Sequence, residues 1–362
     1  MPLIDILVIG GGQAGLVAAH AARQHGLHAL ILEGGPTATG SWSRYYDSLR
    51  LFSPARYSSL PGFAFPGDPD RYPTRDEVVG YLADYAARLD TPIETATRVT
   101  AVARTDEGFA VTAADGRGFE ARTVVSATGG FGRPYRPDLP GLDTFAGTVL
   151  HSADYRRPQP FVGQRVIVVG AGNSAVQIAA ELAEVARVTL TSRSPVRFAP
   201  QRPLGIDLHA WLHRTGAELL PLRGRRGGRA TPVLDTGRYR AALADGRPDW
   251  RPMFTTVGPE GVVWADGTTD AVDAILLATG FRPEVSHLAG CYGPDGRPAV
   301  DDRGHPVHTG GVSTTVPGLG FVGLELQRGL ASATLRGVSR DARRVIPRVN
   351  AGVPARSVIT TR

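Results

Sequence analysis

Two glycine clusters in this chain have the spacing that brings a peptide backbone against a pyrophosphate. The first is Gly10-Gly11-Gly12-Gln13-Ala14-Gly15, directly after the apolar run Ile4 to Ile9. The second is Gly170-Ala171-Gly172-Asn173-Ser174-Ala175, directly after Val166 to Val169. Glycines at these places allow a tight turn and let N–H groups at a helix N-terminus approach phosphate oxygens. A charged residue follows each cluster at the same distance. Glu33 stands as far beyond Gly10 as Arg193 stands beyond Gly170, each closing a second apolar run. A carboxylate there bonds the ribose hydroxyls and repels a 2′-phosphate; a guanidinium attracts that phosphate. The pair predicts two different dinucleotides: FAD on Gly10, Gly12, Gly15 and Glu33, and NADPH on Gly170, Gly172, Ser174, Ala175 and Arg193, with Ser192 adding a hydrogen bond. Two such groups in one protein suggest hydride transfer from nicotinamide to flavin.

The elements that must position these residues repeat. Each cluster opens a βαβ unit, and each unit is followed by a hairpin-like segment that ends in Ala-Thr-Gly. In the first half the segment runs from Phe109 to Thr112, through Asp115-Gly116, to Ala127-Thr128-Gly129. In the second it runs from Val262 to Trp264, through Asp266-Gly267 and Ala274 to Leu277, to Ala278-Thr279-Gly280. The repeat predicts an α/β fold with two Rossmann-like dinucleotide-binding domains, the two-domain architecture of disulfide-reductase-like flavoproteins. No third unit follows Gly280. Val316 to Gly323 reads as a strand closing on a glycine turn, and Ala331 to Val345 as a terminal helix. The expected division is therefore an FAD domain of 1–155 and 286–362 with an NAD(P)H domain of 156–285 inserted. The Pro-containing stretches His151 to Pro160 and Phe281 to Pro283 read as its linkers. Ala127, Thr128, Gly129 and Gly323 fall at the flavin, and Thr279 and Gly280 at the coenzyme. Pro200 to Asp249 is an excursion, either a lid or substrate loop or a surface insertion, with short helices at Asp207 to Leu212 and Arg238 to Leu243.

Composition narrows the alternatives. A chain of 362 residues with 42% hydrophobic content can bury two cores. The first apolar run is broken by Asp5 and the glycines and lacks a basic leader, so it reads as a core strand, and no stretch suits a bilayer span. One cysteine, Cys291, excludes a disulfide framework and suits a reducing cytoplasm. It also excludes an intrachain CxxC electron relay. The net charge of +6 comes from arginine alone, densest at Arg223 to Arg229. With no aromatic interleaving, that run reads as a solvated Gly-rich loop and not as a nucleic-acid surface. His209 and His213 have the i, i+4 spacing of metal ligands but lack the supporting glutamate and third ligand, so no metal is expected.

Between the two clusters lies Phe145-Ala-Gly147-Thr-Val-Leu-His151-Ser-Ala-Asp-Tyr155, spaced FxGxxxHxxxY. This resembles the signature of class B flavin monooxygenases, the family of flavin-containing monooxygenases and Baeyer–Villiger enzymes. With both glycine clusters and both Ala-Thr-Gly turns, the resemblance covers nearly the whole chain. It implies that NADPH reduces FAD, that reduced flavin and O₂ form a C4a-(hydro)peroxide, and that one oxygen passes to a soft heteroatom. The substrate would be a sulfide, an amine or trivalent arsenic. It also implies that Trp42 to Pro61 passes the isoalloxazine ring, with Trp42 bordering the flavin and Phe52 and Tyr57 on its reacting face. His151 would set the relative position of the domains. Many members carry asparagine where this chain has Phe52. Phe52 and the stretch Tyr72 to Glu77 are instead similar to a smaller bacterial, ArsO-like subgroup of single-component enzymes that accept NADH as well as NADPH. The remaining alternatives are a flavin oxidoreductase or disulfide reductase that inserts no oxygen, and a flavin-bound redox sensor. The expected partners are a small-molecule substrate and O₂, with no nucleic acid and no membrane; a homodimer is an allowed assembly.

Overall fold

The computed structural model of the protein describes residues 4–220 and 232–353, so the arginine run at 223–229 lies outside the described residues. Continuous apolar runs form its parallel strands, because such strands are covered on both faces. In chain order the elements that matter are β1 (Ile4–Ile9), α1 (Gln13–Gln24), β2 (Ala29–Leu32), α2 (Arg75–Arg88), β3 (Ile93–Glu94) and β4 (Gly118–Ser126). There follow β5 (Thr148–His151), β6 (Arg165–Val169), α3 (Asn173–Leu182), β7 (Arg187–Ser192), α4 (Leu208–Thr215) and α5 (Arg238–Ala244). The last are β8 (Asp249–Pro252), β9 (Ala274–Leu277), β10 (Leu319–Phe321) and α6 (Leu335–Ala351).

The first sheet has a parallel centre in the order β10-β4-β1-β2-β3. An antiparallel hairpin, Val99–Arg104 with Phe109–Ala113, and two short strands at the far edge bring it to nine strands. Helices α1, α2 and α6 cover one face around Ile6, Val8, Leu16, Leu82 and Val345. The second sheet is wholly parallel, in the order β8-β7-β6-β9-β5. Its core centres on Val168, Ile178, Leu190 and Leu276. Because β10 returns to the first sheet after the second is complete, the second unit interrupts the first. The architecture is the two-Rossmann arrangement expected.

Three details differ from the sequence reading. Strand β5 was expected before the first linker, but it pairs in register with β9, Leu150 opposite Leu276 and His151 opposite Leu277. The first crossover therefore lies earlier, where Arg133–Pro134 pairs antiparallel with Phe281–Arg282. The second-half hairpin is a three-strand meander of Thr256–Gly258, Gly261–Val263 and Thr269–Ala271, and β9 is separate from it. The terminal helix starts later, at Leu335, because the Thr334 side chain accepts from the Gly337 N–H and caps it there. It runs through Pro347 because Ile346 and Val349 are buried in the first core. Among the described residues no helix is long and apolar enough to cross a membrane.

Candidate functional site

The first glycine cluster divides by physical role. Gly10 has φ +107°, and a Cβ there would stand 2.8 Å from the Ala127 carbonyl oxygen. A Cβ at Gly15 would stand 1.7 Å from the Gly10 carbonyl oxygen, so α1 can lie on the turn only without one. Both glycines are demanded by the fold itself. Gly12 is different: a Cβ there would meet only the Gly40 backbone, at 3.3 Å and beyond. Gly12 is the N-cap of α1, with no side-chain cap and no acidic residue in the first turn. Helix α2, by contrast, carries a complete capping box from Thr74 and Glu77. The first-turn N–H groups of α1 thus remain available to an anion. Beside them the Glu33 carboxylate, at the tip of β2, accepts from the Gly11 N–H at 2.5 Å and the Gly35 N–H at 2.6 Å. Gly323 presses the loop after β10 onto the same turn, its Cβ position 2.6 Å from Ala14 Cβ. Ala127 and Gly129 follow β4 at this end, while the Thr128 hydroxyl is committed to the Glu284 carbonyl at 2.7 Å.

The second cluster repeats the division. Gly170 has φ +150°, with a Cβ position 2.4 Å from the Ala278 carbonyl oxygen and 3.0 Å from Ala175 Cβ. At Gly172 a Cβ would meet nothing within 4 Å. Helix α3 also begins uncapped, and the Asn173 side-chain oxygen is buried with no hydrogen-bond partner among the described residues. Arg193 follows β7, exposed and in no ion pair among the described residues. Ser192 is already engaged. Its hydroxyl donates to the Ser194 carbonyl at 2.7 Å and accepts from the Trp250 indole at 3.1 Å. Thr279 donates to the Tyr135 carbonyl, and Gly280 turns at φ +83°. Both cradles fit a dinucleotide: open glycines, uncapped helix N-termini and a charged group at the end of the following strand.

The segment Trp42 to Tyr57 bridges the two cradles. Trp42 Nε1 donates to Gln13 Oε1 at 2.7 Å, at the start of α1. Tyr46, four residues on, donates to Gln177 Oε1 at 2.5 Å on α3, beside Ser174. Burial of that phenol pushes its pKa up. Phe52 is 43% exposed and its ring stacks on His209, centroids 5.7 Å apart and planes at 27°. Tyr57 meets His213 at 5.6 Å. Both histidines lie on α4, inside the excursion that leaves the second sheet where Phe198–Pro200 pairs with Val233–Asp235. The sequence shows both short helices of this excursion but not that the first of them reaches Phe52 and Tyr57. Asp207 caps α4, and its carboxylate collects four donors: His209 N at 2.8 Å, His209 Nδ1 at 2.9 Å, Gln201 Nε2 at 2.9 Å and the Tyr72 hydroxyl at 2.5 Å. Burial pushes the Asp207 pKa up, but these bonds outweigh it and bring it down to about 2. Burial and the same carboxylate push Tyr72 up to about 12. Glu218, beyond α4, is buried against Arg336 at 2.7 Å and Arg340 at 3.1 Å on α6.

The FxGxxxHxxxY residues serve the packing. A Cβ at Gly147 would stand 2.5 Å from the Asp273 carbonyl oxygen. His151 is fully buried; Nδ1 accepts from the Ala153 N–H at 3.0 Å, which leaves Nε2 to donate to the Gly280 carbonyl at 3.1 Å. Both ring nitrogens are thus spent on backbone, and burial lowers the pKa of the ring. Tyr155 donates to Glu181 on α3 at 2.8 Å. Cys291 is fully buried with Leu7, Ile9 and Leu319 in a second core of the first unit, and burial pushes its thiol up to about 11. Among the described residues no three His, Cys, Asp or Glu side chains come together as metal ligands.

The sequence profile of the pyridine nucleotide-disulphide oxidoreductase family matches residues 7–220. A solved flavin-containing monooxygenase from Stenotrophomonas maltophilia superposes with a TM-score of 0.82 at 38% identity, covering 97% of this chain and 99% of that one. An uncharacterised CzcO-like oxidoreductase from Geobacillus kaustophilus is 34% identical over 95% of this chain and 97% of its own length. The indole-3-pyruvate monooxygenase YUCCA1 of Oryza sativa is 30% identical over 77% of each chain.

Proposed function

This chain belongs to the pyridine nucleotide-disulphide oxidoreductase family, and from that membership we propose how its two cradles are used. It is an NADPH-dependent flavin monooxygenase. The reaction consumes NADPH, H⁺, O₂ and a soft nucleophile, and yields NADP⁺, water and the oxygenated product. Bound FAD supplies the hydride acceptance and oxygen activation. Gly10, Gly12, Gly15, Glu33, Trp42, Ala127 to Gly129 and Gly323 hold it, by the open N-terminus of α1 and the carboxylate at the tip of β2. Gly170, Gly172, Ser174, Ala175, Thr279 and Gly280 hold the coenzyme, and Arg193 pairs with its 2′-phosphate. NADH, which lacks that phosphate, is a second and weaker reductant. Phe52 and Tyr57 border the reacting face and exclude water from it. The substrate class is a sulfide, an amine or a trivalent arsenical.

The observation that carries the reading is the Trp42 to Tyr57 segment, which joins the two cradles, Trp42 bonding Gln13 on α1 and Tyr46 bonding Gln177 on α3. No intrachain thiol relay competes for the electrons, because the chain has one cysteine and it is buried beside Leu7 and Leu319. The test is turnover under ¹⁸O₂ with NADPH on a panel of sulfides, amines and trivalent arsenicals, followed by mass spectrometry of the products. Incorporation of one labelled atom supports the proposal. Unlabelled product throughout, together with anaerobic reduction of a disulfide, overturns it in favour of the reductase alternative.

A further inference from the structure

The second unit sends its excursion across to the first, and the contacts are specific. Gln201 Nε2 donates to the Phe52 carbonyl at 3.0 Å, Asp207 accepts from Tyr72, His209 lies under Phe52, and Glu218 is gripped by α6. Tyr72, Phe52 and α6 all belong to the first unit. At the centre is a ring held unusually firmly. The His209 side chain is 3% exposed and its Nδ1 is fixed by a carboxylate that three other donors also fix. Its Nε2 has no hydrogen-bond partner among the described residues. The ring that rests on it, Phe52, is 43% exposed. Burying a carboxylate costs desolvation, and packing alone would be served as well by an aliphatic side chain. What the carboxylate adds is direction: it sets the orientation of one ring, and that ring sets the orientation of the next.

We propose that His209, held by Asp207 and Tyr72, is the positioning residue that fixes Phe52, and through it the fraction of NADPH oxidation that ends in oxygenated product. The inference rests on the reading that Phe52 borders the reacting face. With the phenyl ring fixed, water is kept out and oxygen is delivered to substrate. With the ring free, NADPH, H⁺ and O₂ yield NADP⁺ and hydrogen peroxide instead. An aromatic stack of this kind biases its partner about three- to tenfold toward one orientation. Loss of the stack should therefore raise the ratio of peroxide released to product formed by about the same factor.

The experiment uses the FAD-loaded protein in four forms: unchanged, His209→Ala, His209→Phe and Tyr72→Phe. Peroxide and product are measured per NADPH consumed, and the visible circular dichroism of the bound flavin and the melting temperature are recorded for each. The expected result is a higher peroxide ratio and altered flavin dichroism in His209→Ala, with both partly restored in His209→Phe, which keeps the stack but not the bond to Asp207. Tyr72→Phe, which removes only the cross-unit hydroxyl, should show a smaller rise in the same direction. An unchanged ratio and dichroism in His209→Ala overturns the inference. So does a His209→Phe variant as uncoupled as His209→Ala. If His209→Ala does not fold, Tyr72→Phe decides by the same two readouts. If no form oxygenates any substrate, the monooxygenase reading fails by itself, and the dichroism of the three variants still supports or overturns the positioning role.

Discussion

Replacing Arg193 with alanine separates the two coenzymes by the one group in which they differ. NADPH and NADH share everything except the 2′-phosphate, and Arg193 is the charged side chain that follows β7, at the end of the sheet where β6 leads into the second cradle. It makes no ion pair among the described residues, so its guanidinium need not leave a protein partner to meet a ligand. A charge-assisted hydrogen bond contributes about 1.5–3 kcal/mol. Because the side chain is exposed and screened, the lower half of that range applies, and about 1.4 kcal/mol corresponds to a tenfold change. Steady-state kinetics should show kcat/KM for NADPH falling about 10- to 40-fold in Arg193→Ala, with NADH unchanged within about twofold. High salt gives a second reading. The screening length shrinks from about 10 Å at 0.1 M to about 3 Å at 1 M, so added salt should erode the preference of the natural protein and leave the variant indifferent. Ser192→Ala is the internal contrast. Its hydroxyl is engaged by Ser194 and Trp250, so its loss should cost about 1 kcal/mol of stability and leave coenzyme choice alone. Equal losses with NADPH and NADH in Arg193→Ala would refute the reasoning, as would a selectivity change confined to Ser192→Ala.

The glycines should respond in opposite ways. Gly15→Ala forces a Cβ to 1.7 Å from a backbone oxygen and should destabilise the chain by more than about 4 kcal/mol, read as insoluble expression. Gly172→Val meets no protein atom at its Cβ, so melting temperature and FAD content should persist while the KM for NADPH rises more than about tenfold. His287 is buried beside Ser126 and burial holds its pKa near 4, against an ordinary 6.5. The unfolded chain takes up a proton below about 6.5 that the folded one refuses until about 4. Stability from this residue is therefore complete above pH 6.5 and falls by about 3 kcal/mol as the pH drops toward 4. Denaturation curves of His287→Gln should lack that slope. Phe52→Asn puts a hydrogen-bond donor at the reacting face but opens it to water. If water exclusion is what Phe52 contributes, the peroxide yield per NADPH should rise about threefold or more, by the same stacking estimate; an unchanged yield would remove Phe52 from that face.

The shape of the two glycine cradles is local and could be read from the chain alone. A tight turn, an uncapped helix start and a charged residue after the next strand all arise within one βαβ unit, so their spacing survives in linear order. Glu33 and Arg193 predict two different nucleotides without any knowledge of what packs against them. Other facts belong to the tertiary structure. Sequence treats Gly10, Gly12 and Gly15 alike, yet backbone oxygens crowd the first and third and leave the second open. Ser192 reads as a free hydroxyl until Trp250 is placed beside it, through the pairing of β7 with β8. Thr148–His151 reads as part of the first unit because it precedes the second glycine cluster, but the edge that accepts it is formed by Ala274–Leu277, far along the chain. The stack of Phe52 on His209 and the bond from Tyr72 to Asp207 join segments more than a hundred residues apart. No periodicity or turn signal encodes such contacts. They follow from where two finished sheets leave room for a loop from one to lie on the other, which is decided only when long-range pairing and packing are complete.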